Sequence, residues 1–233
     1  GQRRMGVLAN SDGTDMAAIV DAIRREIADT QLPTGYFTRL EGTFQAQEEA
    51  SRQIALLSLI SLSLIFVVLY SRYRSAVLSL IIMGNVPLAL IGSIAALWIA
   101  GQPLSVASMI GFITLAGIST RNGILKISHY INLALYEGET FGKPLVMRGS
   151  QERLTPVLMT ALSAGLALLP LMIGADAPGK EILHPVAITI FGGLISATLL
   201  DTLLTPLLFY RFGVKPLARL RDHQAQLKTA EAY

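Results

Sequence analysis

Five apolar runs, each near twenty residues long, constrain this chain more than any other feature. They fall at about 54–70, 76–100, 105–127, 154–173 and 185–210. Roughly 20 apolar residues in a helix cross the ~30 Å hydrocarbon layer of a bilayer. Between residues 53 and 136 the charged side chains are Arg72, Arg74, Arg121 and Lys126 alone, whereas residues 1–52 hold 14. A soluble α/β core does not repeat span-length apolar runs, so the runs predict a mainly α, polytopic membrane helix bundle of five transmembrane helices.

Residues 1–52 read as a water-soluble piece. Residues 4–9 and 36–40 are strand candidates, and Ser11-Asp12-Gly13-Thr14 carries turn and N-cap chemistry. Between them Met16, Ile19, Val20, Ile23 and Ile27 recur at helical spacing over about 15–29. The expectation is a small β-α-β fragment, which is too little to close a core by itself. Polar residues 43–53 are expected to continue the first membrane helix out of the bilayer. The chain opens within a strand and shows no signal peptide, so it reads as part of a longer protein.

Short cytoplasmic loops are enriched in Lys and Arg. Arg72 and Arg74 mark the first turn, Lys143, Arg148 and Arg153 the loop at 128–153, and Arg211, Lys215, Arg219, Arg221 and Lys228 the tail at 211–233. The opposite loops carry only Lys180. The tail is therefore expected in the cytoplasm and the N-terminal piece on the outer face. The formal net charge of +3 lies in loops and tail, which fits membrane topology and gives no nucleic-acid surface. The chain has no cysteine, so it holds neither disulfides nor thiolate metal sites. No carboxylate pair, nucleophile triad, phosphate loop or zinc spacing points to an enzyme.

Small residues in the spans are expected to let helices approach closely: Gly111, Ala116 and Gly117, then Ala161, Ala164 and Gly165, then Gly192, Gly193, Ser196 and Ala197. Pro87 and Pro170 should loosen their helices locally.

Ionisable groups inside a span are functional candidates by default. Arg121 lies about fifteen residues into the third run, roughly 5–6 Å from mid-span at 1.5 Å rise per residue. A guanidinium stays protonated, so any titration belongs to a buried carboxylate opposite it. That partner is either Asp201 or an acidic residue outside this stretch, and the pair is either a proton relay or a static ion pair. Asp201, about seventeen residues into the fifth run, reads as a second titrating carboxylate, the Arg121 partner, or an interface residue pairing with a loop cation. Lys126 lies about 140° around the helix from Arg121 and is expected to snorkel at the inner interface. Thr160 and Ser163 either pass protons or bond the carbonyl four residues back. Arg153 is either a relay entrance or a positive-inside anchor. His129 and His184 lie at opposite faces and cannot share a metal.

Thr120-Arg121-Asn122-Gly123-Ile124-Leu125 followed by Ser128-His129-Tyr130 resembles the tenth transmembrane helix of resistance-nodulation-division (RND) permeases, in their heavy-metal efflux branch. Arg153-Leu154-Thr155-Pro156-Val157-Leu158-Met159-Thr160 is similar to the start of helix eleven. Gly179-Lys180-Glu181-Ile182 with Gly192-Gly193-Leu194-Ile195-Ser196 is similar to the loop and helix twelve. The resemblance implies that the spans are helices eight to twelve of twelve, with residues 1–52 ending a periplasmic porter subdomain. It implies a proton relay through Arg121, Asn122, Thr160 and Arg153, with Arg121 facing helix-four carboxylates that this stretch lacks. Asp201 carries no role from the family. No cofactor is implied beyond the proton motive force. The partners implied are two further copies in a homotrimer, a periplasmic adaptor, an outer-membrane channel and a metal cation as substrate. The family's metal-binding methionines lie in periplasmic parts outside this stretch. The expected function is proton-driven export of heavy-metal cations across the inner membrane. The alternatives are export of drugs or other hydrophobic compounds, or a truncated membrane protein that transports nothing.

Overall fold

A computed structural model describes residues 5–7, 16–30, 33, 35–38, 40, 43–173, 180 and 182–231. The chain divides into two compact units, Gly1–Arg52 and Gln53–Tyr233.

In the first unit, α1 (Met16–Asp29) forms where the apolar spacing predicts it, with Val20 buried on its apolar face. Arg24 donates to Glu48 at 2.7 Å. The predicted β-α-β fragment does not form among the described residues: Met5–Val7, Tyr36–Thr38 and Leu40 have no regular structure. The remainder of both strand candidates lies outside the described residues. Two short extended segments with no further strand cannot supply the ladder that satisfies their backbone groups.

The polar run at 43–53 continues the first apolar run as expected, giving α2 (Thr43–Tyr73) as one 31-residue helix. Arg74 turns the chain with φ +47°, and Ser75 caps α3 by accepting from Leu78 N. The second run is interrupted: α3 (Ala76–Met83) ends at Gly84 and α4 (Asn85–Ile99) begins at once. Pro87 in the first turn of α4 has no N–H to carry the ladder back across the break. Ser105 and Ser108 form a reciprocal capping box that opens α5 (Val106–Leu135). Then follow α6 (Lys143–Met172), α7 (Leu183–Phe212) and α8 (Val214–Glu231).

Three boundaries differ from the sequence reading. The loop expected at 128–153 is largely helix, because α5 runs on to Leu135 and α6 starts at Lys143. The basic tail is helical as far as Glu231. Among the described residues four helices, not five, are long and apolar enough to cross a membrane: Gln47–Tyr73, Ala76–Ile99, Lys143–Met172 and Leu183–Phe212. At 30 residues α5 matches their length, but Arg121, Asn122, Lys126 and His129 dilute its apolar run.

Helix α7 is central and packs on α4, α5 and α6. It meets α4 through small residues: a Cβ on Gly192 would strike Ala96, and one on Gly193 would strike Leu115 and Ser93. Hydroxyls join the same surfaces, with Ser93 donating to Thr189 O and Ser196 to Leu88 O, both at 2.7 Å. The expectation for Gly111 is met, since it lies tight against Thr189, whereas Gly117 faces open space.

A second core gathers one end of the bundle. Tyr73, Leu78, Ile82, Tyr130, Leu145, Phe209 and Leu217 pack together there, and the Tyr130 and Phe209 rings stand 4.8 Å apart. The basic turn after α2, the α5–α6 connection and α8 thus share one end of the unit. Arg221 on α8 donates to Ala134 O and Glu139 O, both at 2.9 Å, and so caps carbonyls at the end of α5. Arg221→Ala is expected to cost about 1–2 kcal/mol locally, the worth of charge-assisted hydrogen bonds near water. Faster trypsin cleavage after Arg219 in membrane vesicles would report the freed helix.

Candidate functional site

The described membrane helices bury one ion pair. Lys126 on α5 and Asp201 on α7 are each about 3% exposed. Lys126 Nζ donates to Asp201 Oδ2 at 2.6 Å and to the Asp201 carbonyl at 3.0 Å. Thr205, one turn along α7, donates to Asp201 Oδ1. The same hydroxyl lies 3.0 Å from the Asn85 side-chain amide, which opens α4. Three helices therefore converge on one carboxylate.

Helical spacing explains the convergence. Ser119, Gly123, Lys126 and Tyr130 recur at the i, i+4, i+7, i+11 positions of one α5 face, all four are buried, and α5 packs on α3, α4, α6 and α7. Gly123 lets Asn85 approach, its missing Cβ lying 2.7 Å from Asn85 Nδ2. Ser119 donates to the Asn85 carbonyl at 2.9 Å. On α7, Thr198, Asp201 and Thr205 form the matching polar stripe, all buried. Two polar side-chain atoms of this region, Asn85 Nδ2 and Thr120 Oγ1, are buried with no hydrogen-bond partner among the described residues.

The expectation that Lys126 snorkels at the interface is overturned. Its ammonium turns inward because Asp201 offers a charge and a carbonyl that offset desolvation. The signal was present in the sequence: Lys126 shares a stripe with Ser119 and Gly123, so it lies on the packed face. Asp201 consequently pairs with Lys126 and is not the partner of Arg121.

The other candidate residues lie apart from this pair. Arg121 is exposed on α5, about 140° around the helix from Lys126, with no ion-pair partner among the described residues. Asn122 beside it is half-buried. Thr160 is exposed on α6 and donates to the Pro156 carbonyl four residues back at 2.8 Å. Ser163 is exposed. Arg153 is half-buried, its Nε without a partner among the described residues. His129 contacts Glu152 at 2.7 Å, and Glu152 accepts from Arg148 at 2.8 Å. Arg148 also donates to Glu137 and Glu139. His184 Nδ1 lies 3.2 Å from Leu171 O, far along the chain from His129. Among the described residues no group of three or more His, Asp or Glu side chains is placed to hold a metal ion.

The AcrB/AcrD/AcrF family model matches residues 1–213. The cobalt-zinc-cadmium resistance protein CzcA of Cupriavidus metallidurans is 35% identical over 227 residues, covering 97% of this chain and 20% of that protein. The nickel-cobalt-cadmium resistance protein NccA of Alcaligenes xylosoxydans xylosoxydans is 37% identical over 207 residues, covering 88% and 19%. A crystal structure of a heavy metal efflux pump superposes with a TM-score of 0.76 at 33% identity, covering 88% of this chain and 20% of that one. The chain thus spans about a fifth of the length of the relatives it matches. A family match over nearly the whole chain, joined to a shared helix arrangement, leaves one conclusion: the chain belongs to the AcrB/AcrD/AcrF family of RND efflux permeases and resembles its heavy-metal branch.

Proposed function

We propose that this chain is the C-terminal part of a proton-driven permease that exports heavy-metal cations across a bacterial inner membrane. In this reading α5 is a fifth crossing, built with polar groups because it faces protein and carries the coupling residues. Residues 1–52 lie on the periplasmic side as the end of a porter subdomain, residues 53–210 form the bundle, and α8 lies at the cytoplasmic face. The whole permease works as a homotrimer with a periplasmic adaptor and an outer-membrane channel.

One observation carries the reading. Arg121 sits deep in α5 on a face turned away from the Lys126–Asp201 pair, exposed and with no carboxylate opposite it among the described residues. A guanidinium at that depth needs a buried acidic partner, and a neighbouring helix of the full bundle supplies it. Proton uptake on that carboxylate releases Arg121, and helix movement drives the porter domain through its states. Asn122, Thr160 and Arg153 serve as polar steps of the same relay, and Asp201 acts from the opposite face of α5.

Arg121→Ala in the full-length permease tests this. In a metal-sensitive deletion strain it is expected to lower the tolerated metal concentration by about tenfold or more, the equivalent of at least ~1.4 kcal/mol of lost coupling, at normal membrane abundance. Wild-type resistance in that variant would refute the relay role. Protection against hydrophobic drugs but not metal salts would move the substrate to the drug-export reading.

A further inference from the structure

Proton-driven export as read above uses the exposed face of α5. The buried face holds a second titratable group with its own counter-ion. Asp201 has one carboxylate oxygen on Lys126 and the other on Thr205, and Thr205 in turn reaches Asn85. Asn85 Nδ2 rests against Gly123, and Thr120 lies one turn before Gly123 on α5, next in sequence to Arg121. Both Asn85 Nδ2 and Thr120 Oγ1 are buried and unpartnered among the described residues. The hydrogen-bonded groups thus run from the ion pair through Thr205 to Asn85, and Thr120 adds a second unpaired polar atom on the same buried side of α5.

Among the described residues no other charged side chain hydrogen-bonds or ion-pairs with Lys126 or Asp201. Helices α3 and α4 carry no titratable side chain. On α5, Arg121 points away, Tyr130 is hydrogen-bonded to Ser150 and His129 to Glu152. On α6, Glu152 is engaged by His129 and Arg148, and Arg153 sits half-buried near the same end. On α7 the other titratable groups are His184, Tyr210 and Arg211, near its two ends. On α8, Arg221 is spent on backbone carbonyls. Lys126 is thus the counter-charge of Asp201, and loss of either charge has no local compensation.

We propose that Lys126 and Asp201 form a second proton-exchange site of the permease, braced by Thr205 and Asn85. The step is balanced by a single proton. Asp201 takes it up and becomes a neutral acid, Lys126 keeps its charge and loses its carboxylate, and the site gains one positive charge. Deprotonation of Asp201 restores the pair. Because α7 packs on α4, α5 and α6, exchange at Asp201 reaches every helix of the bundle core. This inference rests on proton-driven export.

The test is metal export and proton flux of the full-length permease in proteoliposomes, as a function of pH on the proton-entry side. Three forms are compared: wild type, Lys126→Met/Asp201→Leu and Thr205→Val. The double variant replaces the pair with apolar side chains of similar size, so assembly is retained. It is expected to export at least tenfold more slowly and to lose the pH dependence that the pair contributes. Thr205→Val keeps both charges and removes one hydrogen bond from the carboxylate, which favours its protonated form. It is expected to move the half-maximal pH upward by half a unit or more. A purely structural pair would leave the Thr205→Val profile unmoved, and that result overturns the proposal whether or not the double variant assembles. A double variant with wild-type rate and profile overturns it as well. A wild-type permease that exports metal without proton flux removes the export mechanism and this inference together, whereas a proton-coupled wild type with unshifted variants removes this inference alone.

Discussion

Asp201→Ala is expected to destabilise the bundle by about 3–5 kcal/mol, the usual cost of stranding one member of a buried ion pair. Lys126 would keep a single acceptor, the backbone carbonyl of residue 201 at 3.0 Å. Thr205 would lose the carboxylate it donates to. Nothing else within α3, α4 or α7 offers a negative charge to an ammonium that is about 3% exposed. The apolar double replacement Lys126→Met/Asp201→Leu is expected to recover most of the loss, because it removes both desolvation costs together. Thermal midpoints of the detergent-solubilised permease check the pattern. An Asp201→Ala protein as stable as wild type would mean that water reaches the site.

Gly193→Val is the second large effect. The α4–α7 interface closes on this position, where an added Cβ would collide with Leu115 and Ser93 and stand 3.0 Å from the Ala89 carbonyl. Two of these obstacles belong to buried residues packed on a helix backbone, so neither can turn away. The helices must part, which costs about 1–3 kcal/mol or more for overpacking and strains the hydrogen bond from Ser93 to Thr189. Reduced membrane abundance of the variant, with Gly117→Ala as a well-tolerated control, is the expected readout. The control is apt because nothing lies within 4 Å of a Cβ at Gly117.

The membrane class, the helix order and most span positions were legible because they depend on local composition: a long apolar run without charges has few alternatives to a buried helix. The strands expected at 4–9 and 36–40 do not form among the described residues, since a strand is defined by its neighbour and neither segment is given one. Helix ends were also missed. Residues 143–153 look like a loop by polarity, yet Pro144 in the first turn and the Arg148–Glu152 pair at i, i+4 support a helix there. The mid-helix place of Arg121 in α5 was readable from its position in the run. The pairing of Lys126 with Asp201 was not, because residues 75 apart in the chain meet only when the register of α5 on α7 is known.

The interruption at Gly84 gives the second crossing a knuckle. Gly84 keeps helical torsions (φ −59°, ψ −19°) through the joint, and the first residue past it is the amide that reaches Asp201 through Thr205. A bend of α4 is therefore felt at the buried charges even when α3 stays clamped against Tyr130 and Phe209.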